Sequence, residues 1–269
     1  MDAKYIIADS GGSSTTWGIV LKNNEVIFLQ TDSLHPKYAL SEGFSMGGLK
    51  TQFEGMQVPL HFYGAGCSSE VVQAQMRGLL QQLGFSEVHV YPDTLAACRA
   101  LYGNQPGWVA ILGTGSVLVA YDGSTITKRI GGYGSLVGDE GSGFYFGKLL
   151  VRHLLRTEKW EEAWVKAFQS REFVLSKLAG SDSQQWISGL AGETAGMDFG
   201  FLHRRNAELF VEQYCMGIPG LQEISFIGTY GKEQERVFTQ VFESRNIRPG
   251  KRIASPIRDL VRYHQANEY

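Results

Sequence analysis

The sequence predicts an α/β chain built from two similar halves, each reading βββαβαβα, and three observations carry that expectation. Strand-like apolar runs alternate with helix-period runs along the whole chain. The order of elements before residue 107 recurs after it, with extra helices inserted behind the third strand of the second copy. The first hairpin of each copy turns on small residues, Ser10-Gly-Gly-Ser-Ser14 in one and Gly113-Thr-Gly-Ser116 in the other.

In the first half, periodicity and turn signals place strands at residues 4–9, 15–21 and 25–30, then a helix over 40–52. A strand at 59–63 follows. Ser68-Ser69-Glu70 opens the next helix, with Val72, Met76, Leu79, Leu80 and Leu83 on one face. A strand at 87–91 and a helix from Thr94 to Tyr102 close the half. Gly103-Asn-Gln-Pro-Gly107 has the composition of a linker. Beyond it the second half has strands at 108–112, 116–121 and 124–130, helices between 144 and 216, a strand at 223–228, a helix at 232–245, a short strand at 251–254 and a helix from Pro256 to His264. The expected domains are therefore 1–106 and 107–256, the second carrying a helical insertion over 144–216, with a last helix at 257–269 packing back on the first.

Composition narrows the classes of function. A net charge of −2 with scattered Lys and Arg lacks the basic footprint of a nucleic-acid binder. No apolar run is long enough to span a bilayer, and the first 15 residues have no secretory-signal pattern. Three cysteines, Cys67, Cys98 and Cys215, suit neither a disulfide framework nor a CxxC metal site, so reduced thiols in the cytoplasm are expected. Glycine is in excess, 33 of 269 residues or about 12 % against roughly 7 % in average proteins, and the excess lies in turns.

A turn of glycine and hydroxyl residues lets backbone N–H groups approach an anion closely. One such turn could be a decorated hairpin; two in duplicated halves could grip one polyphosphate from both sides. Four matches, Asp9-Ser-Gly-Gly-Ser13, Pro92-Asp-Thr94 followed by Ala96-Ala97, Leu112-Gly-Thr-Gly-Ser116 and above all Gly131-Gly-Tyr-Gly-Ser-Leu-Val-Gly-Asp-Glu-Gly-Ser-Gly143, resemble the N-acetylglucosamine kinase and 2-hydroxyacyl-CoA dehydratase activator ATPase family. That family belongs to the superfamily of acetate and sugar kinases, actin and chaperone ATPases. The resemblance implies a duplicated ribonuclease H-like fold around a nucleotide cleft, ATP and Mg²⁺ as cofactors, a small-molecule sugar as partner, no nucleic acid or membrane, and a homodimer.

It also implies roles for residues. Phosphoryl transfer needs backbone donors, a divalent cation and a base that orients the accepting hydroxyl. Asp9 resembles the carboxylate that holds Mg²⁺ through water, which explains an acid beside a phosphate turn. Ser10, Gly11, Gly12 and Ser13, with Gly113, Thr114 and Gly115, would be the phosphate grips. Asp93 would be the base, although an Asp between strand and helix is also an ordinary N-cap. The segment holding Gly132, Tyr133, Gly134 and Asp139, together with Ser116 and His35, would bind the sugar; Glu140 could equally be a first-turn helix residue. Gly228 and Thr229 resemble the turn beside adenosine, or simply join a strand to a helix.

Some positions depart from the family's commoner pattern. Ser14 stands where a lysine is common, His35 replaces an asparagine that contacts sugar, and Val117 stands where sugar-binding relatives often have asparagine. Gly43-Phe-Ser-Met-Gly47 matches the G-x-S-x-G elbow of hydrolases, yet no strand is expected before it. The leading expectation is an ATP-dependent kinase of an amino sugar or related hexose. An activator ATPase with a cysteine-held iron–sulfur cluster, and a catalytically silent sugar- or nucleotide-binding module, are the alternatives.

Overall fold

The computed structural model describes residues 2–267 and divides the chain into two compact units. One comprises the residues up to Gln105, the short turn Gly123–Thr125 and the chain from Ser255 on; the other comprises Pro106–Asp122 and Ile126–Ala254.

In the first unit, strands β1 (Ala3–Ser10), β2 (Ser14–Leu21), β3 (Val26–Asp32), β4 (Pro59–Gly64) and β5 (Glu87–Pro92) form one open sheet in the order β3-β2-β1-β4-β5. The β1–β2 and β2–β3 pairs are antiparallel, while β4 and β5 join β1 in parallel. The central strand β1 is buried on both faces from Tyr5 to Ala8, which explains an unbroken apolar run; the edge strand β3 is largely exposed. Helix α3 (Glu70–Gln81) is capped by the Ser69 hydroxyl, which accepts from the Val72 N–H, and turns Met76 and Leu80 inward. Helix α4 (Asp93–Tyr102) follows β5 directly. Helix α12 (Ile257–Asn267) packs on α4, β1 and β2. Its buried Ile257, Leu260 and Val261 each contribute about 2 kcal/mol of burial.

The second unit repeats the plan. Strands β6 (Gly107–Leu112), β7 (Ser116–Tyr121), β8 (Ile126–Gly131), β9 (Glu223–Ile227) and β10 (Arg248–Ile253) run in the order β8-β7-β6-β9-β10, with the same antiparallel and parallel pairings. Between β8 and β9 lie α5 (Gly143–Arg156), α6 (Glu162–Phe168), α7 (Arg171–Ala179), α8 (Ser183–Glu193) and α9 (Gly200–Phe210), the last running into a π-helical turn at Val211–Cys215. A separate core fills each unit, centred on Trp17, Phe53 and Phe62 in the first and on Phe146, Phe210, Phe226 and Phe238 in the second.

Two expected helices differ from the observed ones. In place of one helix over 40–52 there are two short pieces, α1 (Pro36–Ala39) and α2 (Gly47–Gln52). Gly43 has φ +83°, and α2 buries no side chain, so no apolar face sustains a longer helix. The helix expected at 232–245 starts earlier and breaks into α10 (Thr229–Glu233) and α11 (Glu235–Glu243), because Gln234 leaves the helical region at φ −96°, ψ 23°.

Candidate functional site

In the first unit the three parallel strands β1, β4 and β5 end together. Asp9 pairs with Tyr63 and Tyr63 with Tyr91, so Asp9 and Tyr91 lie about 10 Å apart in the backbone, two strand spacings, and α4 starts two residues after Tyr91. Their carboxylates interact: burial, then the charge of Asp93, pushes the Asp9 pKa up to about 7. Asp93 is not the N-cap. Pro92 occupies that position and Asp93 is the first helical residue, its Oδ1 accepting from the Thr94 N–H at 2.8 Å.

Gly11, Gly12 and Ser13 form an exposed turn closed by the Gly11 N–H donating to Ser14 O at 2.9 Å. A Cβ on Gly12 would meet nothing within 4 Å, and its φ is ordinary. Nothing in the fold demands glycine there, whereas a closely approaching ligand would. Ser10 points elsewhere. Its hydroxyl is fully buried, shares a hydrogen bond with Thr15 Oγ1 at 2.8 Å and accepts from the Leu34 N–H at 3.1 Å. The His35 ring is half-buried, its Nδ1 accepting from the Lys37 N–H at 3.1 Å, which leaves the proton on Nε2.

In the second unit three of the singled-out segments meet at the end of β6. Glycine at 228 is required, since a Cβ there would lie 2.5 Å from Leu112 O. Gly113 O and Thr114 O accept from the N–H groups of Gly143 and Phe144, so the turn after β6 is fastened to the start of α5. Gly113 itself has space where a Cβ would point, like Gly12. Gly115 is packed under the Asp139 carboxylate, 3.2 Å from Oδ1 to the position of a Cβ. Thr229 is exposed at the start of α10.

The segment 131–143 has two characters. Gly132, Tyr133 and Gly134 belong to an exposed tip with Leu136 and Val137. Its other end is buried: Asp139 Oδ1 accepts from the Ser116 N–H, the Ser116 hydroxyl donates to Glu140 O, and the Asp139 N–H donates to Tyr214 Oη at 3.1 Å. Burial raises the Asp139 pKa, opposed by the Ser116 N–H. Sequence reasoning missed the residues that hold this end. Asn206 accepts from the Gly141 N–H at 2.8 Å and donates to Ser142 O and Tyr230 Oη; Tyr214 donates to Glu140 Oε2 at 2.6 Å. A buried Asn within a helix is the one signal that could have pointed there.

The donor set can be tested against a divalent cation. Among the described residues no three or more His, Cys, Asp or Glu side chains gather as a metal site. Mg²⁺ does not need such a cage; it takes one or two carboxylates, waters and substrate phosphates. Asp9, half-buried beside Asp93, fits that requirement. The cysteines are free and buried, their thiols pushed up to about 12 by burial, so none is a surface thiolate able to share an iron–sulfur cluster.

No protein-family model matches the chain. In fold it is similar to a proposed N-acetylglucosamine kinase from Porphyromonas gingivalis, at a TM-score of 0.83 and 23% identity over 98% of this chain and 99% of that one. It is also similar to a ROK family glucokinase from Streptomyces griseus, solved with glucose and AMPPNP, at a TM-score of 0.53 and 17% identity over 97% and 98%. The fold is the ribonuclease H-like fold of the actin-like ATPases. In sequence, 70 residues are 38% identical to the N-acetyl-D-glucosamine kinase of Dictyostelium discoideum. That stretch is 26% of this chain and spans only 22% of the relative's length. The likeness along the whole chain is thus one of fold, joined by a short likeness in sequence. No helix among the described residues is long and apolar enough to cross a membrane.

Proposed function

We propose that this protein is an ATP-dependent sugar kinase that transfers the γ-phosphoryl group of ATP to a hydroxyl of an amino sugar or related hexose. The observation that carries the reading is the placing of Asp9 on β1 and Asp93 at the start of α4, directly after β5, at one end of the same parallel strands, where burial and then the charge of Asp93 raise the Asp9 pKa. The fold shared with kinases and the short stretch of identity with an N-acetyl-D-glucosamine kinase support it.

In this reading Asp9 holds Mg²⁺, which supplies charge neutralisation for the phosphates. In the first unit the N–H groups of Gly12 and Ser13 would bind phosphate oxygens, and in the second those of Thr114 and Gly115, while Gly11 and Gly113, whose own N–H groups close the turns onto Ser14 O and Gly115 O, let a phosphate approach; Gly228 and Thr229 are the candidates for the nucleoside. In the first unit His35, with its proton on Nε2, is the candidate donor to a sugar hydroxyl; in the second unit Gly132, Tyr133 and Gly134 at the exposed tip, with Ser116 and Asp139 at its buried end, are the candidates for sugar contact. Asp93 accepts the proton of the reacting hydroxyl as its oxygen bonds to the γ-phosphorus and the bond to the β–γ bridging oxygen breaks, releasing ADP.

The test is ADP release measured over hexoses and N-acetylhexosamines with Mg²⁺, on the natural chain and on Asp93→Asn. Asn keeps an oxygen for the Thr94 N–H, so the fold should hold. Loss of a general base lowers kcat by about 10²–10⁴ with a smaller change in sugar affinity. Turnover of no sugar by the natural chain would overturn the reading, and a near-normal kcat in the variant would remove Asp93 from the reaction.

A further inference from the structure

On the second unit, α5 and α9 line a pocket of about 400 Å³, within the range of small-ligand sites. Arg152 and Arg156 reach it from α5 and Arg205 from α9, with Tyr145 and the apolar Leu149 and Leu209 between them. Lys148, Arg152 and Arg156 recur at four-residue spacing along α5, which stacks their positive charges on one face, where like charges repel. Arg205 is neutralised by Glu212 at 3.0 Å and Glu208 at 3.5 Å, and Glu208 also takes Arg204. Lys148 donates to Ser135 O at 3.1 Å. Arg152 and Arg156, both exposed, have no carboxylate partner among the described residues. On the same wall, His153 Nε2 is buried with no hydrogen-bond partner among the described residues.

A basic residue in the last turn of a helix needs no ligand to explain it, because it faces the negative end of the helix dipole. That accounts for Arg156. It does not account for Arg152 one turn earlier, or for the convergence of both on a concave surface shared with α9. Guanidinium groups in a concave site match phosphate oxygens two at a time. We propose that this pocket binds a small phosphomonoester of about hexose-phosphate size, its phosphate held by Arg152 and Arg156 and its body lying on Leu149, Leu209 and Tyr145. Arg152 and Arg156 lie about 14 and 20 Å along α5 from Gly143, where the Gly113–Ser116 turn is fastened, so the phosphate-holding end of the pocket stands apart from that turn, while its Tyr145 end begins within one helical turn of it.

The test is calorimetric titration of the full chain with glucose 6-phosphate, inorganic phosphate and glucose, on the natural sequence and on the double variants R152A/R156A and R152K/R156K. Saturating AMPPNP and glucose are added in parallel runs to occupy any kinase site. Saturable binding of glucose 6-phosphate that persists under that block is expected, with weaker binding of phosphate and none attributable to glucose. R152A/R156A should lose at least about tenfold in affinity, and R152K/R156K, which keeps charge without the planar fork, should fall between. Both arginines are exposed, and melting of each variant without ligand checks the fold. Equal affinity in the natural chain and R152A/R156A, disappearance of binding under the block, or absence of saturable binding to the natural chain would each overturn the proposal.

Discussion

Asp139 Oδ1 accepts from the backbone N–H of Ser116 at 3.1 Å, and the Ser116 hydroxyl returns a bond to Glu140 O at 2.6 Å. These two bonds clip the buried end of the glycine-rich segment to the start of β7. Asp139 sits at φ 71°, where Asn is tolerated better than most residues. Asp139→Ala leaves a buried N–H unpaired and should cost about 1–3 kcal/mol in urea unfolding at pH 7. Asp139→Asn keeps an acceptor and cannot ionise, so it should lose less, and its gap to the natural chain should narrow as pH rises from 3.8 to the raised pKa of the native carboxyl and stay constant above it. An Ala variant as stable as the natural chain would show that the clip carries no weight.

Gly12→Ala separates folding from ligand binding. The added methyl meets no neighbour and the backbone needs no left-handed conformation, so stability should stay within about 0.5 kcal/mol. If phosphates lie against that turn, the methyl intrudes on them and ATP affinity should fall about tenfold or more. Unchanged affinity by calorimetry would place the phosphates elsewhere.

Asp9 has a pKa raised from 3.8 to about 7 by burial and by Asp93. A raised pKa means that the folded state favours the protonated acid, so its contribution to stability is full below about pH 4 and is lost as pH rises through 7. At about 1.4 kcal/mol per pH unit the loss is at most roughly 4 kcal/mol, and less where solvent screens a half-buried group. Without nucleotide or metal, Asp9→Asn should therefore melt higher than the natural chain at pH 8 and equally at pH 4, while losing Mg²⁺-dependent activity. A variant less stable at pH 8 would contradict the assignment of Asp9 as a carboxylate held at a cost to the fold.

His264 accepts or donates at 2.9 Å with Tyr63 Oη, and its ring lies 4.2 Å from that of His61, which stacks on His89 at 5.0 Å. Arg99 donates to Tyr63 and covers the rings of Tyr91 and Tyr263, and Glu87 pairs with His89. Burial and the neighbouring positive charges lower His61 to about 4 and His264 to about 3. Both then add stability that is full above pH 6.5 and is lost as pH falls through 4 and 3, because the unfolded chain binds the protons first. Each should contribute a slope of up to about 1.4 kcal/mol per pH unit between pH 6 and 4. His264→Gln should remove about one such slope from the pH dependence of unfolding; an unaltered slope would show that His264 titrates freely.

Local chemistry made the two sheets legible, since Tyr5–Ala8 and the small-residue turns at 10–14 and 113–116 announce themselves within a few residues. What escaped the sequence acts across distance. Asn206 reaches Gly141 and Ser142, Tyr214 reaches Asp139 and Glu140, and Tyr63 meets His264, each pair separated by more than 60 residues with no local motif. Asp93 shows a subtler limit. Sequence marked a strand-to-helix junction, but only the backbone settles that Pro92 caps the helix and Asp93 stands one position inside it.

Helix α12 covers α4, β1 and β2, yet it follows α4 by about 150 residues of chain. During synthesis at roughly 5–20 residues per second, Arg99 and the sheet face beside it therefore wait on the order of 10–30 s for Leu260, Val261 and His264 to emerge. The second unit, whose strands and helices are all made within that interval, can be complete first. The half of the protein that begins the chain is thus the last to be sealed, and a nascent chain stalled before residue 257 exposes apolar surface to chaperones and proteases.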